Sequence, residues 1–219
     1  MTAIIVIAKE TIPGRVKTRL HPPFSLEQAA ELAAASLSDT LRAVSTLGAS
    51  ERILYFDGTV LPAGSEGYRV IPQTSGTLDE RLAAVFDRMI GPALLVGMDT
   101  PQLSHRHLAH VFENWPSDID AWFGPAEDGG FWALGLREPN GDLIRGVPMS
   151  QDDTGVRQRE RLDAAGLRVA LLPTLTDVDT IDSAAQVAAI APETEFARTM
   201  NRFDVRQPVR ARQRVGAIR

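Results

Sequence analysis

Short apolar runs rich in Val, Ile and Leu alternate along this chain with longer segments of helical period, a pattern that restricts the fold to a parallel or mixed sheet covered by helices. The class is therefore α/β. Residues 3–8 read as the first strand. Ser25 and Gln28 form a capping box, and Leu26, Ala29, Ala30, Ala33, Leu37, Leu41 and Val44 then give a helix one buried face as far as Gly48. Residues 52–56 and 68–71 read as the second and third strands. Thr77 with Glu80 opens a helix that closes at Gly91, and residues 93–96 are the central strand. Further strands are expected at 121–123 and 168–172 and a helix at 154–165; a last helix begins near Ser183 with Asp182 as its N-cap.

A length of 219 residues suits one well-filled core, and no low-complexity linker divides the chain, so residues 1–204 read as a single domain and 205–219 as a basic C-terminal tail. No window approaches the roughly 18 uninterrupted apolar residues of a membrane helix. The N-terminal apolar run is followed by charge rather than by a small-residue cleavage site, unlike a signal peptide. With no cysteine, disulfides, thiolate metal sites and a cysteine nucleophile are excluded, and a cytoplasmic address is expected. Residues 1–204 carry 18 basic against 28 acidic groups, a balance that repels nucleic-acid phosphates. The tail holds Arg206, Arg210, Arg212, Arg214 and Arg219 without interleaved aromatics, which favours packing on the acidic body or on a second subunit of a homodimer over RNA binding.

Against that acidic background the stretch "IPGRVKTRL" stands out, because it places Arg15, Lys17 and Arg19 in the first loop, just after Lys9 and beside Gly14. Solvated charge is the commoner fate of such side chains. The segment has neither the Walker A spacing nor a G-x-G-x-x-G fingerprint. In "GMDTPQL", Asp99 follows the central strand directly, at the carboxyl end where open α/β sheets bind ligands, although an aspartate there can also merely cap a turn. In "GPAEDGGFWALGL", Glu127 and Asp128 precede Gly129 and Gly130, which permit either close backbone approach to a ligand or an acidic hairpin turn. In "TDVDTIDSA", Asp179 is the second strand-end carboxylate. Two such carboxylates, with no Cys and few His, suit Mg2+ or Mn2+, ions that usually arrive with phosphates; the basic loop would then cradle those phosphates. His105, His107 and His110 share no single helix face and make a poor metal site. Trp122, Phe131 and Trp132 could stack on a base or sugar, but strand aromatics more often serve the core; Trp132, after the glycines, is the better candidate. Asp152 and Asp153 read as helix caps or as a base near an acceptor.

Together, "AKETIPGRVKTRL", "GMDTPQL", "GPAEDGGFWALGL" and "LTDVDTIDSA" resemble a bacterial family of GT-A-like nucleotide-diphospho-sugar transferases, which includes the radical-SAM- and selenodomain-associated type, over nearly the whole chain to about Ala191. The resemblance implies a Rossmann-like GT-A fold with a mixed, mostly parallel sheet flanked by helices. It also implies Asp99 and Asp179 as metal ligands, Asp99 and Asp128 as catalytic residues, Lys9, Gly14, Arg15, Lys17 and Arg19 on the nucleotide phosphates, and Glu127, Asp128, Gly129, Gly130 and Trp132 along the acceptor side. The first loop is also similar to that of 2-phospholactate guanylyltransferases, which transfer a nucleotidyl group. The expected partners are thus a nucleotide sugar or a nucleoside triphosphate and a small-molecule acceptor, with a nucleotide-binding module lacking turnover as a third reading. Two segments depart from the family pattern: "VPMSQDDTG", and "GTLDERL", with Asp79 where a glycine is common.

Overall fold

The computed structural model describes residues 1–203; the arginine-rich tail expected at 205–219 lies outside them. Seven strands form one sheet: β1 (Ala3–Lys9), β2 (Arg52–Asp57), β3 (Arg69–Pro72), β4 (Ala93–Val96), β5 (Ala121–Pro125), β6 (Phe131–Leu136) and β7 (Val169–Leu171). Their order is β3-β2-β1-β4-β6-β5-β7. Neighbouring strands run parallel except at β6, which is antiparallel to both β4 and β5. The sheet is mixed and mostly parallel, Rossmann-like, and flanked by helices as the residue pattern implies.

The helices are α1 (Leu26–Ser45), α2 (Leu78–Phe86), α3 (His105–Glu113), α4 (Thr154–Ala164), α5 (Ile181–Ile190) and α6 (Glu195–Arg202). Alternation along the strands sends side chains to two cores. Ile4, Val6, Leu94 and Val96 meet α1 and α3 on one face, while Ile5, Ile53, Leu95 and Leu134 meet α2 and α4 on the other. The outer side of α1 forms a third cluster with α5 and α6 through Leu32, Val187 and Phe196. Asp39 of α1, 2% exposed, accepts from the Glu195 and Phe196 N–H groups at 2.9 and 2.8 Å, satisfying two otherwise orphaned donors at the start of α6.

Two helix boundaries and one added helix stand out against the sequence expectation. Helix α2 ends at Phe86 rather than near Gly91, because Asp87 turns to accept from the Gly141 N–H at 2.7 Å. Helix α5 begins at Ile181, with Thr180 rather than Asp182 as N-cap; the Thr180 hydroxyl accepts from Ser183 N–H, leaving Asp182 in the first turn. Helix α6 adds an element beyond the point where the resemblance fades. The unusual Asp79 is explained locally, since its carboxylate accepts from the Gly146 N–H at 2.7 Å and ties the start of α2 to the loop before α4.

Candidate functional site

The first loop is built around two buried apolar anchors, Val16 and Leu20, at 2% and 0% exposure. Full burial of such side chains contributes about 1.5–3 kcal/mol each, enough to fix the loop on the core. Between them Lys17 takes a left-handed conformation, φ 46 and ψ 36, before the 3-10 turn Thr18–Leu20. A non-glycine residue there costs about 1–2 kcal/mol. The turn sends the Lys17 ammonium inward, where its side chain is 8% exposed and its Nζ lies 2.7 Å from Asp99 Oδ1 and 3.6 Å from Asp179 Oδ1. Burial lowers the Lys17 pKa, but the charge and hydrogen bond of Asp99, helped by Asp179 and Asp177, more than offset this and leave it raised. Arg19, largely exposed, pairs with the other oxygen of Asp179.

Main-chain bonds bring the carboxylates together. The Val178 N–H donates to the Asp99 carbonyl at 2.9 Å, so residues 177–179 run alongside the end of β4. The same segment continues from an isolated parallel bridge between Leu175 and Ala126, with Glu127 N–H donating to Leu175 at 3.0 Å. Asp177 therefore joins the cluster. Burial pushes its carboxyl up, Asp99, Asp128 and Asp179 add repulsion, and despite Lys17 its pKa reaches about 7. Its Oδ1 is buried without a hydrogen-bond partner.

The hairpin between β5 and β6 supplies the facing wall. Asp128 Oδ1 accepts from the Gly130 N–H at 2.9 Å, and Gly129 holds φ +87, so the acidic hairpin turn forms while still lining the cavity. The close approach that Gly129 permits is to protein: a Cβ there would overlap the main-chain carbonyl of Asp152. Gly155 N–H also donates to the Gly129 carbonyl at 2.8 Å, clamping the hairpin against the start of α4. Asp153 occupies the N-cap position of α4 without a side-chain cap bond, whereas Asp152 faces the cavity.

These groups border a cavity of about 830 Å3 at the carboxyl ends of β1, β2 and β4. Of the residues singled out in the sequence, Lys9, Arg19, Asp99, Glu127, Asp128, Gly130 and Asp179 line it, while Lys17 reaches it from behind through Asp99. Gly14 and Arg15 are not part of its lining. Trp132 touches it, but the ring is 2% exposed, packs in the core and donates from Nε1 to the Pro173 carbonyl at 3.0 Å; it offers no free face for stacking. Trp122 is likewise core, whereas half-buried Phe131 borders the cavity. His107 completes the cap of α3 with Ser104, and His110 packs edge-on to Trp122.

The sequence reading overlooked the far wall under β2 and β3. There Asp57 pairs with Arg81 at 3.2 Å, and Gln73 donates to the carbonyls of Ala8 and Tyr55 at 2.9 and 3.1 Å. The available signal was positional: Asp57 and Gln73 follow the second and third parallel strands at the same ligand-binding end as Asp99.

Solved structures place this architecture in a defined class. A protein from Desulfovibrio desulfuricans, provisionally assigned as a nucleotide-diphospho-sugar transferase, superimposes with a TM-score of 0.81 at 23% identity, covering 93% of this chain and 95% of that one. A nucleotidyl transferase from Methanothermobacter thermautotrophicus gives 0.57 at 16% identity (91% and 99% covered). The 2-C-methyl-D-erythritol 4-phosphate cytidylyltransferase of Thermus thermophilus gives 0.52 at 17% (88% and 100% covered). The fold is that of the nucleotidyl and nucleotide-diphospho-sugar transferases. No curated protein matches the sequence significantly. The chain belongs to the DUF2064 family, described as uncharacterized proteins conserved in bacteria, whose model matches residues 34–151 and so includes Asp99 and the Glu127–Gly130 hairpin.

Proposed function

We propose that this chain is a Mg2+- or Mn2+-dependent transferase using a nucleotide-activated donor, and that it transfers a glycosyl group from a nucleotide sugar. The observation that carries the reading is the convergence of the basic first loop on strand-end aspartates, with Lys17 Nζ 2.7 Å from Asp99 and 3.6 Å from Asp179 at the wall of one cavity. The donor set fits a hard divalent cation. The orphaned Asp177 Oδ1, and the burial and neighbouring carboxylates that together raise Asp177 to about 7, mark a cluster short of positive charge. Among the described residues no three carboxylates or imidazoles converge as a complete cage. This accords with Mg2+, which takes one or two protein carboxylates and completes its shell with phosphates and water. Asp99 and Asp179 would hold the ion, which would neutralise charge on the leaving diphosphate.

The chain's own residues supply the rest. Lys9 and Arg19 offer donors to the phosphates from the cavity wall, and Lys17 holds Asp99 and Asp179 in place. Asp128, whose Oδ1 is occupied by the Gly130 N–H, keeps Oδ2 to receive the proton of an acceptor hydroxyl. Thermal-shift titration with nucleotide sugars and nucleoside triphosphates, with and without metal, tests donor use; no shift with any of them sinks the reading. Release of nucleoside diphosphate supports glycosyl transfer, whereas pyrophosphate release replaces it with nucleotidyl transfer. Asp99→Ala is expected to abolish the metal-dependent part of the shift, and an unchanged shift removes Asp99 from its assigned role.

A further inference from the structure

The cavity is electrically divided, and the division follows the chain. Its cations, Lys9, Arg19 and Arg81, all precede β4. Beyond Thr100 the described lining contributes Glu127, Asp128, Asp152, Asp177 and Asp179 and no Lys or Arg. Asp179 is matched by Lys17 and Arg19. Among the described residues Glu127 is met only by neutral donors, the Thr176 hydroxyl at 2.7 Å and the Gln186 amide at 3.1 Å, and Asp128 only by the Gly130 N–H. Among the described residues Asp152 pairs with no cation. An anionic molecule entering this half would face carboxylates without compensating charge.

Two further observations bear on the cavity. Thr100, 1% exposed and part of its wall beside Asp99, where the two halves meet, has a buried hydroxyl with no hydrogen-bond partner among the described residues, a condition that native proteins rarely leave unmet. The segment 149–152 presents exposed polar side chains to the cavity: among the described residues Ser150, Gln151 and Asp152 make no side-chain hydrogen bond, and Thr154 ties the segment's main chain by accepting from Gln151 N–H at 3.0 Å and donating to the Pro148 carbonyl at 2.9 Å. Polar side chains free of protein partners suit hydroxyls, which donate and accept together.

Resting on the donor reading above, we infer that residues 149–152, with Glu127 and Asp128, form the acceptor subsite, and that the acceptor is an uncharged hydroxyl-bearing molecule, a polyol or sugar, rather than a phosphorylated or carboxylated one. In the transfer, the acceptor oxygen bonds to the anomeric carbon as the bond from that carbon to the diphosphate oxygen breaks. The hydroxyl proton passes to Asp128, and nucleoside diphosphate departs on the cationic side.

The test compares glycerol with glycerol 3-phosphate and glucose with glucose 6-phosphate at saturating nucleotide sugar and Mn2+, reading nucleoside diphosphate release. A donor-only thermal shift runs alongside. The neutral member of at least one pair is expected to exceed its phosphorylated counterpart by about 100-fold or more in kcat/KM. Asp152→Lys, at an exposed side chain, is expected to narrow that gap by about 10-fold. Preference for the phosphorylated members, no release with any neutral member, or a gap unmoved by Asp152→Lys overturns the inference while a donor shift leaves the donor reading standing. Absence of any donor shift removes the donor reading and this inference with it.

Discussion

Replacing Lys17 with Met keeps most of the side-chain volume and removes the cation that, among the described residues, bridges Asp99 and Asp179. At an effective dielectric of about 20, the 2.7 and 3.6 Å separations correspond to gross attractions of about 6 and about 5 kcal/mol. Desolvation of the ammonium, several kcal/mol, offsets much of this. Both aspartates are 39% exposed and can turn partly into water once the cation is gone, so the net loss is discounted to about 2–3 kcal/mol. For a chain of this size each kcal/mol moves Tm by about 2–4 °C, giving an expected fall of about 5–10 °C. Differential scanning fluorimetry in chelator measures it. Because the lysine is buried, 0.5 M salt, taken as an arbitrary probe well beyond Debye screening, should change the difference little. Added Mn2+ should raise the Tm of the variant more than that of the parent, since it restores positive charge to the same carboxylates. A Tm within about 2 °C of the parent, or a fall that salt abolishes, would refute the picture of Lys17 as an internal counterion.

Asp177→Asn tests the crowding from the other side. The carboxyl is raised from 3.8 to about 7, so the folded state holds a proton that the unfolded chain releases; this contribution is complete below about pH 4 and is lost as pH rises through about 7. The variant should match the parent below about pH 4, exceed it by about 1–2 kcal/mol near pH 5 and by about 4 kcal/mol at pH 8, read from denaturant melts in chelator; an equal difference at pH 5 and pH 8 contradicts the assignment. Asp39→Ala leaves the Glu195 and Phe196 N–H groups without their acceptor and should cost about 2–4 kcal/mol. Hydrogen exchange should localise the loss to α6, and uniform loss of protection would argue against a local tie.

Much of the scaffold was legible because it rests on short-range chemistry. Ser25 and Gln28 form the capping box that their spacing announces, and the apolar run Ala93–Val96 is fully buried at the middle of the sheet. Thr180 and Asp182 are both good caps two residues apart, and only the turn after Val178, fixed by its bond to Asp99, selects between them. Helix α6 is eight residues long, too short for its period to stand out, and its start is stabilised by an aspartate more than 150 residues away. The arrangement of the candidate site, strand-end carboxylates facing a basic loop, was legible too. Its division of labour was not, because the inward turn of Lys17 depends on a left-handed backbone that no residue type there advertises, and the partners of Gly129 are distant in the chain.

The single reversed strand carries a consequence of its own. Since β6 runs against its neighbours, it starts where they finish, and the hairpin of residues 126–130 emerges at the same end as Asp99 and the first loop. On the proposed function the two substrates would be served by structurally separate parts: parallel strands and their loops for the donor, a hairpin tip and the segment before α4 for the acceptor. Changes in length or composition at that tip leave the register of the other strands untouched. If the proposed roles hold, such an arrangement would let the acceptor side vary in sequence while the donor side stays as it is.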